Sequence, residues 1–139
     1  MFVLDTNVIS ELRRIRLGRG NPGVTTWLEA VNPDELYLSA ISIEELEIGV
    51  LLAERRDPAQ GRILRKWLNF YILPEFSRRI LPIDTSIVLR SAGFHVPNPH
   101  PVRDGLIAAT ALIHGMTVVT RNVVHFEATG AAVINPWRD

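Results

Sequence analysis

Met1-Phe2-Val3-Leu4-Asp5-Thr6-Asn7-Val8 decides how the chain is read: four apolar residues, a carboxylate, then small polar residues that open a helical pattern. A run this short, apolar on both faces, fits a strand inside a parallel sheet covered by helices. Asp5 then emerges where the strand ends, and in open parallel sheets ligands bind at the carboxyl ends of strands. Asp5, Thr6 and Asn7 are equally suited to cap a helix running through Glu11. A ligand role and a capping role therefore stand side by side at Asp5.

Working outward, similar short runs recur at Leu36 to Ser39, Ile80 to Ile83, Thr117 to Thr120 and Ala132 to Ile134. Helical patterns fill the intervals: Val8 to Ile15, Gly23 to Val31, Ile43 to Arg56, Ala59 to Glu75, Thr85 to Gly93, Val102 to His114, and a short one from Asn122. Strands alternating with helices are the α/β signature. The expectation is a three-layer α/β/α sandwich around a central, mainly parallel sheet of about five strands. Gly and Pro clusters at Gly18 to Gly23, Asp57-Pro58, Pro97 to Pro101, Gly115 and Gly130 separate these elements without making a domain linker. Residues 1–139 read as a single domain with one site.

Fifteen Lys and Arg balance fifteen Asp and Glu, so no general electrostatic footprint of a nucleic-acid binder exists, and a polyanionic substrate would need a local patch. Cysteine is absent, which excludes disulfides and thiolate zinc sites and suits a reducing compartment. The first apolar run is too short for a signal peptide, and no stretch is long enough to cross a membrane. The expectation is a cytoplasmic protein without a membrane partner.

Three further polar residues sit beside apolar elements. Asp104 is followed at helical spacing by Ile107, Ala108, Ala111 and Leu112, which puts a carboxylate on a core-facing stripe, costly unless compensated. Its competing role is to favour the helix dipole in the first turn. Glu45 completes Ser42-x-x-Glu45, a capping box, yet Ile48, Gly49 and Leu52 follow it on what reads as an inward face, with Gly49 permitting close approach of a backbone. Glu44 and Glu47 read as the solvated face. Asn122 follows an apolar strand and suits an N-cap of the short helix through Phe126. Several acids brought within a few ångströms repel one another, and a divalent cation offsets that repulsion. Oxygen ligands without Cys favour Mg²⁺ or Mn²⁺ over Zn²⁺.

Arg13, Arg14, Arg16 and Arg19, close in sequence to the Asp5 end, together with Arg103 and Arg121, are candidates for the local patch that a polyanion would need. The bland alternative is a solvated face. Trp67, Phe70 and Tyr71 read as core or as an interface stripe. His95, His100, His114 and His125 are isolated from the acidic motifs in sequence and are given no ligand role. Asp84, opening Asp84-Thr85-Ser86, reads as a helix cap.

Taken in order, Val3-Leu4-Asp5-Thr6-Asn7, Ser42-Ile43-Glu44-Glu45-Leu46-x-x-Gly49, Asp104-Gly105-Leu106-Ile107-Ala108-Ala109-Thr110-Ala111, and Thr120-Arg121-Asn122-x-x-x-Phe126 with Asn135-Pro136-Trp137 resemble the PIN domain. Within that family the chain is most similar to the VapC and FitB-like toxins of toxin–antitoxin pairs. The resemblance implies a PIN-like fold and a Mg²⁺- or Mn²⁺-dependent endoribonuclease cutting RNA with metal-activated water. It assigns Asp5, Glu45 and Asp104 as metal ligands and Thr6, Asn7 and Thr120 as hydrogen-bonding supports. Asn122 falls where many relatives carry a fourth acid, which favours one metal over two. The resemblance also implies a homodimer and a VapB-like antitoxin that inserts a basic residue among the acids, in a complex that binds operator DNA through the antitoxin. Two alternatives remain: a catalytically weak module acting as partner of a DNA-binding antitoxin, and a metal-dependent DNA nuclease.

Overall fold

A computed structural model describes residues 1–138. Five strands form one sheet: β1 (Phe2–Leu4), β2 (Leu36–Ser39), β3 (Ile80–Leu81), β4 (Thr117–Val119) and β5 (Val133–Ile134). Their order is β3-β2-β1-β4-β5, and every pair is parallel. The chain winds outward from β1 to β2 and β3, then returns to place β4 on the other side of β1. The topological switch point therefore lies between β1 and β4, where a parallel sheet opens a crevice at its carboxyl end.

The helices are α1 (Thr6–Arg16), α2 (Pro22–Ala30), α3 (Ala40–Arg56), α4 (Pro58–Trp67), α5 (Leu73–Glu75), α6 (Thr85–Ala92), α7 (Val102–His114) and α8 (Val124–Glu127). Alternation along the strands divides the core into two layers. Leu4, Leu38 and Val119 face a cluster with Val8, Ile9, Leu46, Val50, Leu68 and Ile72. Val3 and Val118 face the opposite cluster with Ile107, Ala108, Ala111 and Phe126. This is the expected three-layer α/β/α sandwich. Among the described residues, no helix is long and apolar enough to cross a membrane.

Several element boundaries differ from the sequence reading by a residue or more, and four of the differences have a clear physical cause. The strand expected at Ile80 to Ile83 stops at Leu81, because Pro82 has no N–H to continue the ladder. Thr120 falls just beyond β4; its N–H still donates to Ile134 O at 3.0 Å, but its side chain turns into the crevice. The helix expected over Ala59 to Glu75 is interrupted by a π turn at Leu68–Ile72, just before Pro74, whose ring would strike the preceding turn of a regular helix. Finally α3 begins at Ala40, with Ser39 Oγ accepting from Ile41 N. Ser42 therefore lies inside the helix, buried and without a hydrogen-bond partner among the described residues, and the capping box at Ser42 and Glu45 does not form.

Candidate active site

Asp5 sits at the switch point. Its backbone N–H donates to Val119 O at 2.9 Å, tying the end of β1 to the end of β4. Its Oδ1 accepts from Thr6 N at 2.8 Å, so it caps α1. Its Oδ2 accepts from Thr120 Oγ1 at 2.7 Å and from Asn7 Nδ2 at 3.2 Å. Thr120 Oγ1 in turn accepts from Asn122 N at 2.9 Å, and Asn7 Oδ1 accepts from Arg121 N at 3.3 Å. The capping and crevice readings thus describe the same carboxylate. Only 4% of Asp5 is exposed, and its pKa is pushed up to about 6. Desolvation is the main cause; the hydrogen bonds from Thr120 and Thr6 oppose it, while the negative charges of Asp104 and Glu45 add to it.

Glu45 and Asp104 lie far apart in the chain, yet the negative charges of both are felt at Asp5. Glu45, in the second turn of α3, accepts from Thr6 Oγ1 at 2.6 Å through Oε1. It is half-buried, but not on the face the sequence suggested. The inward stripe of α3 is Ser42, Leu46, Val50 and Ala53, whereas Leu52 is 58% exposed and an added Cβ at Gly49 would meet open space. Apolar residues occupy both stripes of α3, so spacing alone could not choose between them. Asp104 lies in the first turn of α7, above the fully buried Ile107, Ala108 and Ala111. Asn122 is exposed, and the cap position before α8 falls on Val123 with no side-chain bond, so the amide of Asn122 caps nothing. Among the described residues, no three His, Asp or Glu side chains are already gathered as a ligand set for a metal ion.

A family model of the PIN domain matches residues 2–131. The chain belongs to the PIN domain family. This PIN domain is 40% identical to the toxin FitB of Neisseria gonorrhoeae, with all of both chains covered. It is 39% identical to VapC ribonuclease Y4jK of Sinorhizobium fredii, covering 99% of this chain and 98% of the relative. Its structure superposes on a structure of FitAB bound to an IR36 DNA fragment with a TM-score of 0.88 at 38% identity, covering 100% of this chain and 97% of the other.

The basic residues of this PIN domain divide into two groups. Arg13, Arg14 and Arg16 lie in the last turns of α1, so helix rise carries them about 12–17 Å from Asp5. Proximity in sequence was misleading, because a helix starting at the site leads away from it. Arg14 pairs with Glu11 at 3.3 Å, and Arg16 stacks on the Tyr71 ring at 3.8 Å. Trp67 packs against the core from its edge, whereas Phe70 and Tyr71 are exposed; the three line an open groove there with Arg13, Arg16 and Lys66. Arg121 and Arg103 stay near the crevice. Arg121 lies over Trp137 at 5.7 Å, and Arg103 faces Glu44 at 3.6 Å.

The isolation of the histidines does not hold either. His125 Nδ1 lies 2.7 Å from Asp104 Oδ2. The sequence offered one signal for this contact: His125 stands three residues after Asn122, within a helical turn of the motif. Asp84 behaves as read, accepting from Ile87 N at 3.0 Å.

Proposed function

We propose that this PIN domain is a Mg²⁺- or Mn²⁺-dependent endoribonuclease and the toxin of a toxin–antitoxin pair. The observation that carries the reading is the carboxylate of Asp5, buried, held by three donors and raised to about 6 with the charges of Asp104 and Glu45 contributing. Such an arrangement disfavours an ionised Asp5 unless a cation offsets it. Relatives named toxin FitB and VapC ribonuclease Y4jK support the same activity.

The donor set fits a hard divalent cation. Among the described residues, Glu45 Oε2 and Asp104 Oδ1 have no hydrogen-bond partner while their other oxygens do, so each acid keeps one oxygen to offer. Mutual repulsion keeps like charges apart until a cation offsets it. Asp5 and Asp104 would hold the ion, with Glu45 joining them. When bound, Mg²⁺ supplies a lowered pKa for water and neutralises charge on the phosphodiester. Glu45 orients the attacking water and takes its proton. Thr6 and Thr120 fix the orientations of Glu45 and Asp5, and Asn7 braces both Asp5 and the Arg121 backbone. Asn122 positions water with its amide, and Arg103 and Arg121 receive the RNA backbone. Water and not the ribose 2′-OH attacks phosphorus, the P–O3′ bond breaks and the departing 3′ oxygen takes a proton from solvent, so the products carry a 5′-phosphate and a 3′-hydroxyl.

A homodimer, and an antitoxin of the VapB kind placing a guanidinium or ammonium among the three acids, complete the proposal. The likeness to a DNA-bound FitAB structure supports an assembly that reaches operator DNA through the antitoxin. The neutral Asn122 and the ungathered acids favour one rival: a catalytically weak module serving mainly as the antitoxin's partner.

Mg²⁺-dependent cleavage of total RNA and matched single-stranded DNA, by wild type, Asp5→Asn and Asp104→Asn, separates these readings. RNA cleavage abolished by both substitutions is expected. Intact RNA with folded, metal-loaded protein supports the weak module, DNA cleavage supports the DNA nuclease, and a 2′,3′-cyclic phosphate product refutes attack by water.

A further inference from the structure

His125 is absent from the ligand set above, yet it makes the one side-chain hydrogen bond to Asp104 among the described residues, Nδ1 to Oδ2 at 2.7 Å. It stands on α8, a helix of four residues without a side-chain cap. Such a helix is a poor platform by itself, and neighbouring groups hold it. The next residue, Phe126, is fully buried in the layer beneath α7. The His125 carbonyl receives His100 Nε2 at 2.8 Å, and its N–H donates to Asn122 O at 3.1 Å. The imidazole is thus presented to Asp104 by a segment pinned on both sides.

We propose that His125 is a positioning residue for Asp104, fixing the carboxylate so that its free Oδ1 is the oxygen offered to the divalent cation. The inference rests on the metal-site reading above. The contact has little to do as a surface ion pair: the His125 side chain is 48% exposed, and exposed pairs contribute little to folding. Asp104 needs no partner to occupy the first turn of α7, where the helix dipole already favours it. The bond does restrict rotation of a carboxylate that otherwise has two equivalent oxygens. Hydrogen bonds of this kind to a ligating carboxylate typically govern metal affinity by about 10–100-fold. Asn122 supplies no charge to the same rim, which leaves the affinity dependent on how well Asp104 is held.

The test is calorimetric titration of the full chain with MnCl₂, comparing wild type, His125→Ala, His125→Asn, His125→Gln and Asp5→Asn, alongside melting of each in EDTA. An Asn amide nitrogen falls near the position of imidazole Nδ1, whereas a Gln amide reaches further. The expected result is Mn²⁺ affinity about 10–100-fold weaker in His125→Ala, mostly restored in His125→Asn, not restored in His125→Gln, with metal-free melting points unchanged. Equal affinity of wild type and His125→Ala, failure of His125→Asn to rescue, or a metal-free melting point lowered in step with affinity would each overturn the positioning role. If wild type takes up no Mn²⁺, or Asp5→Asn binds it equally, the metal-site reading fails as well. Loss on Asp5→Asn without loss on His125→Ala removes the positioning role alone.

Discussion

Asp5→Asn is expected to stabilise the metal-free protein while removing the proposed cation site. In the folded chain Asp5 holds its proton up to about 6, against 3.8 ordinarily. Between those values the native state binds more protons than the unfolded one, so wild-type stability is lost as pH rises through that window. At pH 7.5 the ionised Asp5 costs about 3 kcal/mol. Asparagine removes that cost but weakens the bond from Thr120, worth about 1 kcal/mol. A net gain of about 2 kcal/mol raises the melting temperature by about 6 °C for a chain of this size. By pH 4.5 the cost of ionisation falls to about 1 kcal/mol, cancelling the lost bond. Thermal melts in EDTA at both pH values read this directly, and adding Mg²⁺ should raise the wild-type midpoint alone. A variant that melts at or below wild type at pH 7.5 would refute the account of Asp5 as a destabilised buried charge.

Thr120→Val removes the donor to Asp5 and the acceptor for Asn122 N; denaturant unfolding should show a loss of about 1–3 kcal/mol. Ser42→Ala deletes a buried hydroxyl without a partner, so stability should be unchanged or higher by up to about 1 kcal/mol, read by the same unfolding curves. Gly61→Ala drives a Cβ to 2.5 Å from Glu54 Cα; the α3–α4 hairpin must open, and a lowered melting point reflecting about 1–3 kcal/mol is expected. Glu45→Gln keeps the acceptor for Thr6 Oγ1 but not the charge, so it should lose RNA cleavage while its fold, read by circular dichroism, stays intact.

Local pattern carried far where local rules operate. The strand runs at Phe2–Leu4 and Leu36–Ser39 and the helix Val102–His114 stand where periodicity put them. Asp84 caps the helix it precedes. Local pattern failed where a residue had two plausible neighbours. Ser42 satisfies the capping-box spacing, but Ser39 starts the helix one turn earlier and takes the cap. The arginines near Asp5 in sequence lie at the far end of α1, since helix rise separates what the chain keeps adjacent.

By itself the sequence determined the alternation of buried strands and amphipathic helices and the placing of Asp5 at a strand's carboxyl end, because each depends on contacts within a few positions. Tertiary structure decided the rest. Crossing from β3 back to β4 put Thr120 against Asp5, 115 residues apart. Pairing β2 with β1 set Thr6 on Glu45, and packing α8 against α7 set His125 on Asp104. Those pairings follow from the order of strands about the switch point, and the burial that raises Asp5 exists only once both helical layers have closed over the sheet.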